Sequence, residues 1–119
     1  MIQEAKRPVN SHKAYHAHVY FDEDTKVLAR KLCDISARDF GLHVGRFHEK
    51  LVGPHPCWSC QISFGAKDFD AYISWLEANR ESLTVFVHPL TGDDLKDHTV
   101  FAYWLGRAVA LDLTDFEKD

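Results

Sequence analysis

Two histidines lie two positions apart in the segment YHAHVYF, residues 15–21. The segment alternates as a β-strand does, so His16 and His18 share one face while Ala17 and Val19 share the other. Two imidazoles on one face of a strand can bind a single metal ion if a third ligand arrives from an adjacent strand. The chain has eight histidines in 119 residues, so a third ligand is available.

The best-placed third ligand is His88, at the end of the apolar segment SLTVFVHP, residues 82–89. We expect this segment to be a strand that pairs antiparallel with the first one, so that its end lies beside the start of the first strand. Val87 should face the core, which turns His88 to the face that carries His16 and His18. The sequence therefore predicts a metal site of His16, His18 and His88.

A second group of chemically active residues follows the next predicted strand, in GRFHEKLVGPHPCW, residues 45–58. It contains Arg46, His48, Glu49, Lys50, His55 and Trp58. Proton-transfer and anion-binding groups beside two prolines are typical of a rigid loop that lines a site, and a charged hairpin in solvent fits the same residues. Strict alternation would turn His48 toward the core unless a β-bulge intervenes.

Three further features carry weaker signals. Asp97 and His98 follow the turn sequence PLTGD, where they can cap a helix or supply a carboxylate and a base near the site. His12 and His43 are interpreted as solvated and uninvolved. The CWSC motif lies in a predicted strand, where positions three apart face opposite ways, so its two cysteines are interpreted as independent, partly buried thiols.

These groups must be positioned by elements in the order β-α-β-β-α-β. The strands are predicted at 14–21, 42–50, 57–64 and 82–89, and the helices at 22–41 and about 67–80. Asp22 or Asp24 can cap the first helix and Gly41 can end it. A short helical piece is expected between Asp93 and Leu105, and AVALDL, residues 108–113, can add a fifth strand at the edge.

This order is that of the ferredoxin-like α+β fold, an antiparallel sheet with two helices on one face and strands in the spatial order four-one-three-two. Residues 1–13 are predicted to be a flexible arm and residues 14–119 a single domain. The face opposite the helices must be covered by the C-terminal segment or by a second subunit, so a homodimer is expected.

Composition excludes several classes of function. The formal net charge is −4, which does not suit a phosphate backbone, so no nucleic acid partner is expected. The N-terminus lacks an apolar signal region, and no stretch approaches the roughly 20 apolar residues that span a bilayer. Three cysteines without a framework spacing suit a reducing compartment. We therefore expect a cytoplasmic protein without a membrane partner.

Five segments together resemble the DOPA 4,5-dioxygenase family of fungi and bacteria. They are YHAHVYFD, GRFHEKLVGPHPCWSCQ, WLEANR, VHPLTGDDLKDHT and WLG, in the order of the family and over residues 15 to about 113. The resemblance implies a ferredoxin-like fold and an oxidoreductase, one that cleaves the ring of L-DOPA or a related catechol by extradiol chemistry with O₂. It also implies non-haem Fe(II), for which zinc or nickel can substitute in a purified sample.

The resemblance suggests a role for each candidate residue. His16, His18 and His88 would bind the metal, and Glu49 is an alternative third ligand because many extradiol enzymes use two histidines and one carboxylate. His48, His55 and His98 would act as acids, bases or supporting groups. Arg46 or His55 would pair with the substrate carboxylate, and Trp58 or Phe47 would stack on the ring. The alternative function is a dimeric metal- or small-ligand-binding module without turnover.

Overall fold

The computed structural model describes residues 6–116. It contains five strands, two long helices, one short helix and one 3₁₀ turn. They are β1 (Ala14–Phe21), α1 (Lys26–Phe40), β2 (His43–His48), β3 (Trp58–Gly65), α2 (Ala66–Asn79), β4 (Thr84–Pro89), α3 (Asp94–Asp97), β5 (Tyr103–Leu105) and the 3₁₀ turn Thr114–Phe116.

The strands form one antiparallel sheet in the order β2-β3-β1-β4-β5. The predicted α+β fold and the order four-one-three-two of the first four strands are confirmed. The predicted bounds of these four strands differ from the observed ones by two residues at most. Because β1 is central, its side chains meet neighbours from both β3 and β4.

One face of the sheet packs against α1 and α2 and forms the main core. Alternate residues of β1 are fully buried there, among them Tyr15, Ala17 and Val19. The helices contribute residues at helical spacing, such as Leu32 from α1 and Tyr72 from α2. The strand residues that face the helices are apolar. The polar and imidazole side chains of β1 lie on the opposite face, which we call the open face.

The C-terminal segment covers part of the open face. Val109 and Leu111 pack against a small second core of Tyr20, Phe86, Ala102 and Trp104. The Asp112 amide donates to the Pro54 carbonyl at 2.9 Å, which ties this segment to the loop before β3. The predicted cover by the C-terminal segment is present, and it lies over the β1, β4 and β5 half.

The fifth strand is not where the sequence predicted it. Tyr103–Leu105 pairs with β4, with Phe86 opposite Trp104, whereas residues 108–113 form no strand. Leu105 and Trp104 are buried in the cores on the two faces of the sheet, whereas Val109 and Leu111 pack over the open face alone. The predicted helical piece is shorter than expected and ends at Asp97.

Helix α1 starts later than predicted. Its N-cap is Thr25 rather than Asp22 or Asp24, and no side chain caps it. Instead, Asp22 Oδ1 accepts from the amides of Asp24 and Thr25, both at 3.0 Å, and so holds a turn that leads into the helix. The predicted end is confirmed: Gly41 adopts the left-handed conformation at φ 66°.

The arm before β1 forms no helix or strand in its described part, residues 6–13, but it lies against the domain. The Trp104 amide donates to the Lys6 carbonyl at 2.7 Å, and Arg7 pairs with Glu77 at 2.7 Å. Residues 1–5 of the predicted arm lie outside the described residues. Within residues 6–116, none of the helices has both the length and the apolar character that crossing a bilayer requires.

The cysteines are free thiols. Cys60 is buried in the main core, whereas Cys57 packs beside the second core on the open face. The prediction that the two cysteines of the CWSC motif face opposite sides is therefore confirmed, and this arrangement does not suit a redox pair.

Candidate metal centre

Three imidazoles meet on the open face where β1 and β4 pair. His16 lies directly opposite His88, and His18 is two residues further along β1 on the same face. One ring nitrogen from each of the three histidines lies within 4.8 Å of the other two. The Nε2 atoms of His18 and His88 are 3.0 Å apart. We call His16, His18 and His88 the trio. Its convergence follows from strand register alone.

A backbone contact fixes the orientation of His88. Its Nδ1–H donates to the Pro89 carbonyl at 2.9 Å, which leaves the lone pair on Nε2, the atom that faces His18. A metal-binding histidine commonly has its second ring nitrogen held in this way, because the bond sets both the tautomer and the direction of the ligating atom. His88 is thus prepared as a ligand through Nε2.

The trio is held in its neutral form. His18 and His88 are each 4% exposed, and burial lowers the pKa of His88 to about 3 and that of His18 well below its ordinary value. Burial also lowers the pKa of His16, which is only half-buried. A metal ion binds imidazole only through an unprotonated nitrogen. The environment therefore keeps all three ligands ready at neutral pH.

His55 lies beside the trio although it comes from a loop. Its ring centroid is 4.1 Å from that of His18, and its Nδ1 is 2.7 Å from the hydroxyl of Tyr20. Burial, followed by the nearby imidazoles of His98 and His48, lowers the pKa of His55 to about 4. His55 is therefore a neutral imidazole, held by Tyr20 against the ligand His18.

His98 approaches the trio from the other side. Its Nδ1–H donates to the Asp94 carbonyl at 2.7 Å, so its Nε2 carries the lone pair. The ring lies 4.5 Å from that of His88 and 4.5 Å from that of Phe116. The short helix α3 thus places a half-buried base next to a ligand of the trio. Asp97 does not contact it as a supporting carboxylate; it is buried and binds Thr91 instead.

A β-bulge decides the face on which His48 lies. The pairing of β2 with β3 shifts between Val44 and Phe47, and both of these residues pack against the main core. After the shift, His48 pairs with Ser59 on the open face. The bulge that the sequence allowed is present. His48 thereby joins the side of the sheet that carries the trio and comes near enough to His55 to affect its pKa.

Four further candidates, predicted as an alternative ligand or as substrate contacts, do not contact the trio within the described chain. Glu49 pairs with Lys26 at 3.2 Å, beside the start of α1, so the structure does not bring it to the trio as an alternative ligand. Trp58 lines a cavity of about 480 Å³ at the end of the sheet and packs edge-on against Phe21. Arg46 is exposed within the bulge. Phe47, the other candidate for stacking on the substrate ring, stacks on Phe21 instead.

Tyr20, Trp104 and Phe116 lie around the site but are not among the residues predicted from the sequence. Tyr20 follows His16 and His18 at the same spacing of two and therefore faces the same side, a signal that was present in the sequence. Trp104 stacks on Phe86 at 4.8 Å, and its position depends on the fifth strand. Phe116 reaches His98 only through the path of the C-terminal segment, which no local pattern encodes.

The donor set suits a transition metal. Three imidazole nitrogens without a thiolate are compatible with iron, zinc, copper or nickel. Three protein ligands also leave coordination positions open for other molecules, as a catalytic site requires. The residues present therefore fit a metal such as the Fe(II) implied by the resemblance, and the donor atoms do not select one metal over the others.

The fold and the site together define a ferredoxin-like α+β protein with a candidate metal centre of three histidines on its open face. The DOPA 4,5-dioxygenase family matches residues 15–115. The chain belongs to this family, which confirms the resemblance seen in the sequence.

Individual relatives agree with this assignment. The chain is 32% identical to the DOPA 4,5-dioxygenase of Amanita muscaria over 112 residues, which are 87% of this chain and 49% of that protein. It is 35% identical over 113 residues to an uncharacterized 21.2 kDa protein of Botryotinia fuckeliana, covering 85% of this chain and 62% of that one. The chain thus spans between half and two thirds of the length of these two relatives.

A solved structure agrees as well. The crystal structure of a protein from Nostoc punctiforme PCC 73102, provisionally assigned as a dioxygenase, superposes with a TM-score of 0.83. It is 40% identical in sequence, and the match covers 87% of this chain and 90% of that one.

Proposed function

We propose that this chain is a non-haem iron dioxygenase that opens the ring of L-DOPA or a related catechol by extradiol cleavage. The observation that carries the proposal is the convergence of His16, His18 and His88 within 4.8 Å, in a chain of the DOPA 4,5-dioxygenase family. Bound iron would supply positions for the two catechol oxygens and for O₂ and would let electron density pass between them.

The trio would hold the metal through neutral imidazoles. The bond from His88 Nδ1–H to the Pro89 carbonyl favours this role, because it directs Nε2 toward the shared position. Phe86 and Trp104 close the same face on the β5 side. Their apolar rings exclude water from the buried part of the site, while the half-buried His16 marks its accessible side.

Proton transfer would fall to His55 and His98. A catechol must lose a proton to bind through both oxygens, and a neutral imidazole within reach can accept it. The contact of His98 Nδ1 with the Asp94 carbonyl leaves Nε2 as the ring nitrogen that is available to a substrate proton. His55 stays neutral through burial, and the Tyr20 hydroxyl can either donate to or accept from its Nδ1. His48 would support His55 from β2.

Arg46 would pair with the carboxylate of an amino-acid substrate. It is an exposed guanidinium on the strand next but one to β1, and guanidinium groups bind carboxylates in a bidentate manner. Trp58 and the cavity of about 480 Å³ that it lines lie at the end of the sheet, so a stacking role for Trp58 rests on the resemblance alone.

The test begins with metal content. Protein purified without a histidine tag should bind about one Fe(II) per chain after anaerobic reconstitution, and His18→Ala should bind far less. His43→Ala is the matched control, because His43 is an exposed imidazole on β2 outside the trio. Equal iron in wild type and His18→Ala after gel filtration would contradict the assignment of the ligands.

Activity is tested next on the loaded protein. Addition of L-DOPA and air should consume one O₂ per substrate and give a yellow ring-opened product, and His18→Ala should give neither. A fully iron-loaded protein that leaves L-DOPA and a panel of catechols unchanged would refute the dioxygenase proposal. Tight zinc or nickel binding without oxygen consumption would then favour the alternative of a ligand-binding module.

A further inference from the structure

The β2–β3 half of the open face is polar, in contrast to the half that the C-terminal segment covers. Register places Gln61 of β3 directly opposite His18 and Ser63 directly opposite His16. The intervening residues Cys60 and Ile62 are buried in the main core, so Gln61 and Ser63 share the face of the trio. A ligand that extends from the trio toward β2 must therefore pass over Gln61.

The bulge in β2 places a cation on the far side of Gln61. Val44 pairs with Ile62 and Phe47 pairs with Cys60, so the two residues between them, Gly45 and Arg46, stand opposite the single residue Gln61. Both Val44 and Phe47 pack against the core, and the two bulged residues therefore take the place of one open-face residue.

Of the two bulged residues, only Arg46 has a side chain that can occupy the position opposite Gln61. A Cβ atom at Gly45 would come within 3.4 Å of the Gln61 carbonyl and 3.7 Å of the Gln61 Cβ atom. Because glycine presents no side chain, Arg46 is the residue of the bulge whose side chain can reach the space beside Gln61 on the open face.

Both polar groups are free to bind a ligand. Within residues 6–116, the amide of Gln61 and the guanidinium of Arg46 make no hydrogen bond or ion pair, and Gln61 is half-buried. Two other surface arginines in the described chain are engaged, Arg7 with Glu77 and Arg38 with Asp39, whereas the exposed Arg107, like Arg46, makes no such bond. A few unpaired polar groups on one face can orient a polar ligand, and the amide of Gln61 and the guanidinium of Arg46 are candidates for this role.

We propose that Gln61 and Arg46 form a subsite for the α-amino acid head group of the substrate, with the carbonyl of Gln61 accepting from the ammonium and Arg46 pairing with the carboxylate. This inference rests on the proposed function and sharpens it, because it predicts selection for amino-acid catechols through Gln61. Arg46 alone would accept any catechol that carries a carboxylate.

Dimensions support the assignment. Neighbouring strands lie about 4.8 Å apart, so the backbone of Gln61 is one strand spacing from that of His18 and the backbone of Arg46 is about two, or roughly 10 Å. In an amino-acid catechol the amine and the carboxylate lie across the ring from the two hydroxyls. A ring whose hydroxyls are at the trio therefore directs its head group along this line, over Gln61 and toward Arg46.

The test measures binding rather than turnover. Protein loaded with zinc, which is redox-inert, is titrated calorimetrically without oxygen against three ligands. These are L-DOPA, 3-(3,4-dihydroxyphenyl)propionate, which lacks the amine, and 4-ethylcatechol, which lacks both groups. The variants are Gln61→Met, which keeps the length of the side chain, and Arg46→Gln, with Arg38→Gln as the matched control for loss of one exposed arginine.

The wild-type protein should bind L-DOPA about tenfold more tightly than the propionate. A tenfold difference in Kd is the effect expected from one hydrogen bond to a charged group. Gln61→Met should abolish that difference and leave 4-ethylcatechol unchanged. Arg46→Gln should weaken binding of both carboxylates, and Arg38→Gln should weaken none.

Equal binding of L-DOPA and the propionate by wild type, or equal weakening of all three ligands by Gln61→Met, would overturn the subsite. If none of the three ligands binds, the subsite is refuted as well. Selective binding of L-DOPA that depends on Gln61, together with an inert iron-loaded protein, would support the subsite while refuting the dioxygenase proposal. The two proposals can therefore fail separately.

Discussion

Acidification should destabilise the metal-free protein strongly before its carboxylates are protonated. The cause is the burial of imidazoles that the folded chain keeps neutral. Burial lowers the pKa of His88 to about 3 and that of His55 to about 4, and it lowers the pKa of His18 as well. In the unfolded chain each of these groups takes up a proton near its ordinary pKa of about 6.5.

The sign and size of the effect follow from linkage. Because the unfolded state binds more protons below pH 6.5, stability is complete above that value and falls as the pH drops toward the folded pKa values. At pH 5, with the folded pKa of His55 and His88 below the solution pH, each group costs about 2 kcal/mol. The two together cost about 4 kcal/mol, and His18 adds in the same direction. Domains of this kind have only about 5–15 kcal/mol in total.

Urea unfolding in the presence of a chelator, followed by tryptophan fluorescence at several pH values, measures this loss. A loss of about 4 kcal/mol between pH 7 and pH 5 corresponds to a fall of roughly 2 M in the urea midpoint. In His55→Gln the slope of unfolding free energy against pH, between pH 6 and pH 5, should fall by about 1.2 kcal/mol per pH unit. His43→Gln, which removes an exposed imidazole, is the control. A midpoint that is constant or rises on acidification would refute the reasoning.

Three substitutions test other contacts by the same urea assay. Tyr20→Phe removes the hydroxyl that contacts His55 and should lower the free energy of unfolding by about 1 kcal/mol. With the metal bound, the same substitution should lower kcat more than it raises KM. An unchanged kcat would argue against a positioning role for Tyr20. Phe86→Ala removes a fully buried ring from the second core and should cost about 3–5 kcal/mol, whereas Val27→Ala, at an 80% exposed position, should change stability by less than about 0.5 kcal/mol. Asp97→Ala removes a buried carboxylate that accepts two hydrogen bonds and should cost about 1–3 kcal/mol; a smaller loss would mean that water replaces it.

The sheet could be predicted because its strands alternate cleanly. Tyr15, Ala17 and Val19 on one side and the histidines on the other fix both the element and its faces. The fifth strand could not be placed in the same way. Tyr103–Leu105 has only three residues, and it becomes a strand because β4 offers an unpaired edge, which is a tertiary condition. The longer AVALDL segment has the stronger local pattern and yet forms no strand.

The trio could be predicted from register, since antiparallel pairing of β1 with β4 makes His16 and His88 neighbours whatever the loops do. Residues supplied by loops behave differently. His55 reaches His18 through the path of residues 51–57, and Glu49 turns away to Lys26. Loop paths depend on contacts between segments that are distant in the sequence, such as the bond between Pro54 and Asp112, and a local sequence pattern does not contain them.

The division of the open face into two halves connects stability with function. Over β4 and β5 the C-terminal segment and the rings of Phe86 and Trp104 bury the trio on one side, and this burial is what keeps His88 neutral at a cost in acid stability. Over β2 and β3 the face is polar and lies outside the second core that the C-terminal segment covers, with Gln61 and Arg46 unpaired in the described chain. A protein that needed only a stable sheet would cover both halves alike. The asymmetry is explained if a ligand enters from the β2 side, binds at the trio with its reactive end, and leaves its polar end over Gln61.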